Sequence, residues 1–195
     1  MLIFWEQRLV FLATPKAGST AIAMALESLA TTSIQRPAPM KHTDIAIFRR
    51  HVAPWLASQA GAEFTTVALM REPVDWLRSW YRFRLRDDLD DPEHLMEDVS
   101  FERFAALYTE DGGSRSLGIG SQASFLQTQD YRVDQIFRYE NIGGFVEFLE
   151  DRLDCAVELP RANVPPTVDV ELSSEQESRL RQAMQDDLRL YATLE

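Results

Sequence analysis

Short uncharged hydrophobic runs alternate along the chain with longer stretches whose apolar residues recur at helical spacing. Residues 9–13 and 64–70 are the two strongest runs, and each is too short and too apolar for a surface helix. After the first run, Ile22, Leu26 and Leu29 follow the helical period. This alternation predicts buried strands connected by helices, and therefore an α/β domain with a mainly parallel central sheet.

Weaker patterns predict the remaining elements. Residues 2–5 are expected to form a strand that pairs with residues 9–13 across a tight turn. Thr43 or Asp44 is suited to cap a short helix. Further strands are expected near residues 33–35 and 131–139, and further helices at residues 54–61, 73–84, 100–108 and 143–153.

The last part of the chain predicts one amphipathic helix. Ser174 and Glu177, three residues apart, have the pattern of a capping box. The apolar positions that follow predict one buried stripe, formed by Leu180, Met184, Leu188 and Tyr191.

Composition narrows the class of protein. A chain of 195 residues, 45% hydrophobic and 26% charged, is most economically one globular domain spanning residues 1–195. The net charge of -11 argues against a general nucleic-acid binder, because such proteins need a positive face. Cys155 is the single cysteine, so no disulfide framework exists within the chain. With no signal-peptide pattern and no run of about 20 apolar residues, we expect a cytoplasmic protein without a membrane span.

The segment Thr14-Pro15-Lys16-Ala17-Gly18-Ser19-Thr20 lies between the first strong strand and its helix. Because Pro15 and Gly18 interrupt regular structure, the first backbone N–H groups of the helix can face one point. These donors, the helix dipole, the Lys16 ammonium and the hydroxyls of Ser19 and Thr20 would attract a phosphate or sulfate group. The alternative is an ordinary tight connection with an exposed lysine.

A second candidate anion site follows the second strong strand. Arg71 comes directly after residues 64–70, and Pro73 suits the first position of a helix. Ligands of open α/β sheets bind at the carboxyl ends of strands, so Arg71 is expected on the same edge as Lys16. Ser79 follows eight residues after Arg71, about two helical turns along, and is expected to project toward that edge.

These segments resemble the nucleotide-binding segments of the sulfotransferases that use 3'-phosphoadenosine 5'-phosphosulfate (PAPS). Residues 14–20 are similar to the family's 5'-phosphosulfate-binding loop. Arg71-Glu72-Pro73, with Ser79 further on, is similar to its 3'-phosphate-binding segment. The carbohydrate-type branch has segments similar to residues 121–126 and 138–142, and to the end of the chain around Asn163 and residues 187–191. The resemblance therefore covers nearly the whole chain.

The resemblance implies a P-loop NTPase-like three-layer αβα fold that binds PAPS as co-substrate and releases 3'-phosphoadenosine 5'-phosphate (PAP). The implied phosphosulfate site contains Pro15, Lys16, Ala17, Gly18, Ser19 and Thr20. Arg71 and Ser79 are implied to hold the 3'-phosphate. The chemistry agrees, because a planar arginine fork pairs bidentately with phosphate and a serine hydroxyl adds a directed donor.

The reaction implied is in-line transfer of a sulfuryl group from PAPS to a hydroxyl or amine of a carbohydrate, lipid or small-molecule acceptor. Lys16 would stabilise the leaving phosphate, and this chemistry requires no metal ion. A general base assists an acceptor hydroxyl, and His42 is the first candidate, with Asp44 in reserve. The alternative for His42 is a surface or capping histidine. His51 and His94 rank lower as bases.

Two other functions are left open by the sequence. One is a P-loop kinase or nucleotide hydrolase, although Lys16 precedes Gly18 and the Walker order is therefore absent. The other is a non-catalytic nucleotide-binding protein of the same fold. The glycine-rich segment 111–121 is expected to be a mobile loop that closes over a ligand, with Arg115 either reaching an anion or facing solvent. The acidic segment 87–98 lacks the pattern of a calcium loop.

Overall fold

Five strands form one mixed sheet with the order β3-β1-β2-β4-β5. They are β1 (Leu2–Phe4), β2 (Leu9–Phe11), β3 (Thr32–Ser33), β4 (Thr65–Met70) and β5 (Gln135–Arg138). β2 and β5 both run parallel to β4, whereas β1 runs antiparallel to β2 and β3. The α/β class is therefore confirmed, and both strong apolar runs contain strands.

The expectation of a mainly parallel sheet is wrong, because only two of the four pairings among the described strands are parallel. Residues 5–8 are the whole connection between β1 and β2, and so short a link allows only antiparallel pairing. Arg8, in the left-handed region at φ 50°, completes this turn. The predicted pairing of residues 2–5 with residues 9–13 is confirmed.

The structure is a computed structural model that describes residues 1–85, 99–111, 117–160 and 168–194. The acidic segment 87–98, which includes His94, lies outside the described residues. The same holds for residues 112–116 of the glycine-rich segment, which include Arg115, and for Asn163.

Helices connect and follow the strands. They are α1 (Ser19–Leu26), α2 (Ala38–Lys41), α3 (Ile45–Ile47), α4 (Ala53–Ala60), α5 (Pro73–Arg84), α6 (Phe101–Asp111), α7 (Gln122–Leu126), α8 (Ile142–Leu153), α9 (Ser174–Ala183) and α10 (Gln185–Ala192). A π-helical turn, Phe48–Val52, joins α3 to α4. No helix in the described ranges has the length and apolarity needed to cross a membrane.

Contacts within the chain define two compact units. The first contains Met1–Arg71, Gln122–Ala162 and Thr193–Glu195, and the second contains Glu72–Ser121 and Asn163–Ala192. All five strands belong to the first unit, as do α1 to α4, α7 and α8. The expectation of a single domain, residues 1–195, stays a prediction.

The first unit has its core on the sheet. Strand residues that share one face pack with α1 and α8 in a cluster that includes Leu9, Phe11, Val67, Leu69, Ile22, Leu26, Phe145 and Leu149. On the opposite face of the same strands, Val10 and Ala68 are fully buried. Burial on both faces explains why residues 64–70 carry no charge.

The second unit is helical, with a core contributed by α5, α6 and α9. Its buried residues include Val74, Trp76, Leu77, Phe101, Phe104, Tyr108, Leu180 and Met184. At the start of α5, Pro73 occupies the first turn, and the Glu72 carboxylate accepts a 2.8 Å hydrogen bond from the backbone N–H of Asp75. The predicted start of this helix is therefore confirmed.

The prediction for the last helix is wrong in two respects. The capping box uses Ser173 and Gln176, one residue earlier than Ser174 and Glu177. The helix also ends at Ala183, and α10 follows after Met184.

Candidate anion-binding site

The loop that follows β2 has a backbone suited to surround an anion. Lys16 has φ 61° and Gly18 has φ 78°, so two residues of one short loop adopt the left-handed conformation. That conformation is costly for a lysine, and such outliers cluster at functional sites. Turns of this kind can direct successive N–H groups toward a common point.

Helix α1 begins directly at this loop. Gly18 is its N-cap residue and has no side chain with which to cap the first turn. The first N–H groups of an α-helix have no partner within the helix, and they carry the positive end of its dipole. Ser19 is buried, whereas Thr20 and Lys16 are half-buried. The loop and helix therefore offer donors of the kind that bind anions.

Thr14, at the start of the loop, carries a polar atom whose burial is unexplained within the protein. The residue is only 1% exposed, and its Oγ1 has no hydrogen-bond partner among the residues that the structure describes. Buried hydroxyls nearly always have a partner, which protein, water or a ligand provides. An anion bound at the loop would be one such partner.

Arg71 directly follows β4, and its main chain is fixed by one side chain. The amide of Gln122 accepts a 2.9 Å hydrogen bond from the Arg71 N–H and donates a 2.8 Å hydrogen bond to the Arg71 carbonyl oxygen. Gln122 is itself 1% exposed. The Arg71 Nε is buried and has no hydrogen-bond partner within the described ranges. The main chain of Arg71 is therefore held in place, and the guanidinium keeps an Nε–H donor that a ligand could use.

Tyr139, which directly follows β5, contacts both candidate anion-binding segments. The guanidinium carbon of Arg71 lies 5.0 Å from the centroid of the tyrosine ring. A Cβ added to Gly18 would lie 2.8 Å from Cε2 of the same ring. Since β2, β4 and β5 are neighbours and parallel, the residues that follow them meet at one edge of the sheet. The structure thus brings the Lys16 loop and Arg71 together.

His42 lies beside the same loop. Its Nδ1 is 2.6 Å from the carbonyl oxygen of Ala13, the residue before Thr14. Burial lowers the pKa of His42, and the hydrogen bond to Ala13 opposes this effect. The positive charges of Lys41 and Lys16 lower the pKa further. The imidazole is therefore favoured in its neutral form.

The hydrogen bond also selects the tautomer of neutral His42. A carbonyl oxygen can only accept, so Nδ1 carries the proton and donates it to Ala13. The lone pair is then on Nε2. An imidazole oriented in this way can accept a proton from a neighbouring hydroxyl, which is the chemistry of a general base.

The other predicted residues have different positions. Asp44 caps α3, where its carboxylate accepts a 2.8 Å hydrogen bond from the N–H of Ile47. The prediction that Thr43 or Asp44 caps a helix is therefore confirmed for Asp44. His51 is exposed in the π-helical turn. Ser79 is half-buried in α5 and belongs to the second unit, so its proposed phosphate contact stays a prediction.

Gln122 and Tyr139 have contacts that sequence reasoning did not predict. Both lie in segments that resemble the sulfotransferases, residues 121–126 and 138–142, but no role was derived for either of them. A hydrogen bond between residues 51 positions apart has no local sequence signal. The available signal was only the resemblance of these two segments, which does not say what either side chain contacts.

Among the described residues, no group of three His, Cys, Asp or Glu side chains could hold a metal ion. Comparison of the chain with protein-family models, curated proteins and solved structures finds no match.

Proposed function

We propose that the chain is a PAPS-dependent sulfotransferase that transfers a sulfuryl group to a hydroxyl or amine of a carbohydrate, lipid or small molecule. The proposal includes a P-loop-like three-layer arrangement around the parallel strands. The observation that carries it is the convergence of the Lys16 loop and Arg71 on Tyr139, because two anion-binding groups at one edge suit a ligand with two charged ends.

In this proposal, the loop and the start of α1 bind the 5'-phosphosulfate. The left-handed backbone at Lys16 and Gly18 supports this assignment, because such a backbone can direct N–H groups toward one point. The buried Oγ1 of Thr14 supports it too, because this hydroxyl has no hydrogen-bond partner within the described ranges. Arg71 binds the 3'-phosphate through its planar guanidinium. Ser79 is proposed for the same phosphate from the sequence resemblance.

The chemistry follows from two side chains. Nε2 of His42 takes the proton of the acceptor hydroxyl as the acceptor oxygen bonds to sulfur. The bond between sulfur and the bridging oxygen of the 5'-phosphate breaks, and that oxygen keeps the electron pair. Lys16 stabilises the developing negative charge. The products are the sulfate ester and PAP, and the proton stays on His42 until solvent removes it.

Transfer itself is testable with PAPS labelled with ³⁵S in its sulfuryl group. With a panel of sugars, lipids and small alcohols, we expect the wild-type chain to move label into at least one acceptor class. Lys16→Ala and His42→Gln should each lower the rate of transfer. For His42→Gln the loss should be about 10²- to 10⁴-fold, the usual contribution of a general base to the rate. Unchanged rates in both variants would exclude the assigned roles.

Arg71 gives a sharper test of nucleotide recognition. Arg71→Ala should weaken PAP binding about 10- to 100-fold, since hydrogen bonds to charged groups are worth about 1.5–3 kcal/mol. Binding of adenosine 5'-phosphate, which lacks the 3'-phosphate, should change much less. Titration calorimetry with both ligands measures the difference.

The matched control is Arg179→Ala, because Arg179 is exposed and paired with Glu175 on α9. It should leave the affinity for both nucleotides unchanged. Equal losses for PAP and adenosine 5'-phosphate in Arg71→Ala would refute the 3'-phosphate assignment.

A further inference from the structure

The ring of Tyr139 lies against both candidate anion-binding segments, and no part of the transfer chemistry uses it. We propose that Tyr139 is a positioning residue that holds the Arg71 guanidinium at a fixed distance from the Lys16 loop. The inference rests on the proposed function, because the two segments it spaces are the two ends of the nucleotide site.

On the arginine side, the main chain and the guanidinium are held by different residues. Gln122 binds both the N–H and the carbonyl oxygen of Arg71, so rotation about the side-chain bonds is the freedom that remains. The tyrosine ring limits that rotation by lying 5.0 Å from the guanidinium carbon, within the range of a cation–π contact. A guanidinium that lies face-on against the ring keeps its edge donors for a ligand.

On the loop side, the ring approaches the backbone so closely that only glycine fits. An added Cβ on Gly18 would lie 2.8 Å from Cε2 and 3.2 Å from Cδ2 of Tyr139. Gly18 also has φ 78°, a conformation that other residues adopt at a cost. This close contact therefore holds the ring against the loop at Gly18, the last residue before α1.

These two contacts give the ring its effect on binding. A flexible arginine must lose rotamer freedom when it binds a phosphate, and holding it in advance removes part of that loss. The effect needs an aromatic face and does not need the phenolic hydroxyl. Phenylalanine should therefore replace Tyr139, whereas leucine should not.

The test measures PAP affinity by titration calorimetry for the wild-type chain, Tyr139→Phe, Tyr139→Leu, Arg71→Ala and the double variant Tyr139→Leu/Arg71→Ala. We expect Tyr139→Phe to bind within about twofold of wild type and Tyr139→Leu to bind about tenfold more weakly, the range of a desolvated cation–π contact. The double variant should bind no more weakly than Arg71→Ala, because the tyrosine acts through the arginine. Equal losses in the Phe and Leu variants, or additive losses in the double variant, would overturn the inference.

A ligand-free measurement separates this inference from the proposed function. In NMR spectra of the wild-type chain, the ring current of Tyr139 should shift the Nε–H and δ protons of Arg71 upfield. Tyr139→Phe should keep the shift and Tyr139→Leu should remove it. No upfield shift in the wild-type spectrum overturns the inference, even where Tyr139→Leu fails to fold. A normal ring-current pattern in a chain that does not bind PAP would refute the nucleotide site and leave the contact supported.

Discussion

His42 shows how much a single hydrogen bond can determine. The residue type and its position after Lys41 suggested a base, with a surface histidine as the alternative. The bond from Nδ1 to Ala13 assigns the tautomer, and burial with the nearby positive charges of Lys41 and Lys16 favours the uncharged ring. Neither property follows from the local sequence, because Ala13 is 29 positions away.

The pKa of His42 gives a first prediction. Folding lowers the pKa of His42 below its ordinary value of 6.5. Below about that pH, His42 therefore binds more protons in the unfolded chain than in the folded chain. The free energy of unfolding should therefore fall as the pH drops below 6.5, and His42→Gln should make this fall smaller. Denaturant unfolding at about pH 7.5 and about pH 5.5 measures the change.

The tautomer is measured directly by the ¹⁵N shifts of the His42 imidazole, assigned by comparison with His42→Gln. We expect the Nδ1–H form at neutral pH and a titration midpoint below 6.5. A midpoint above 6.5 would contradict the lowered pKa, and the Nε2–H form would contradict the role of His42 as a base.

Lys16 allows a second prediction at the residue scale, because the chain contains only two lysines, Lys16 and Lys41. PAP at 100 times its dissociation constant should slow acylation of Lys16 about 100-fold, since about 1% of the sites stay empty. Lys41 is the internal control and should react at an unchanged rate. Peptide mass spectrometry after treatment with an N-hydroxysuccinimide ester measures both lysines in one sample. Equal acylation of Lys16 with and without PAP would argue against a phosphosulfate site at the loop.

At the scale of elements, the sequence predicted best where local physics decides the structure. The uncharged runs became β2 and β4, and Pro73 opens α5 as its fixed backbone angle allows. The prediction was wrong where two adjacent residues fit the same local pattern, at the start of α9. Ser173 and Ser174 are adjacent, and each is followed three residues later by Gln176 or Glu177, so both fit a capping box.

The capping box can be tested by comparing two alanine variants. Ser173→Ala should lower the free energy of unfolding by about 0.5–2 kcal/mol, the usual cost of removing an N-cap. Ser174→Ala, at the adjacent position, should change it by less than about 0.5 kcal/mol. Urea denaturation of the two variants beside the wild type provides the comparison. A larger loss in Ser174→Ala would show that the helix begins one residue later.

At the scale of the whole molecule, the sheet is where sequence reasoning fell short. Parallel strands β2, β4 and β5 follow from the alternation of strands and helices, whereas β1 and β3 extend the sheet in the antiparallel direction. The short link between β1 and β2 is evident from the sequence, and it requires an antiparallel pair within the sheet. The site was only partly predictable from the sequence. Lys16 and Arg71 follow strands that the sequence predicts, whereas Gln122 and Tyr139 lie far from Arg71 along the chain and contact it only in the folded structure.

The central claim is that the chain binds a nucleotide with a 3'-phosphate. Thermal unfolding with PAP, compared with ATP and Mg²⁺, tests it most directly, because a ligand at 100 times its dissociation constant stabilises the folded state by about 2.7 kcal/mol. For a chain of this size, PAP should raise the Tm by about 5–10 °C, and ATP with Mg²⁺ should leave it nearly unchanged. Stabilisation by ATP with Mg²⁺ and none by PAP would contradict the proposed function and favour a kinase or nucleotide hydrolase.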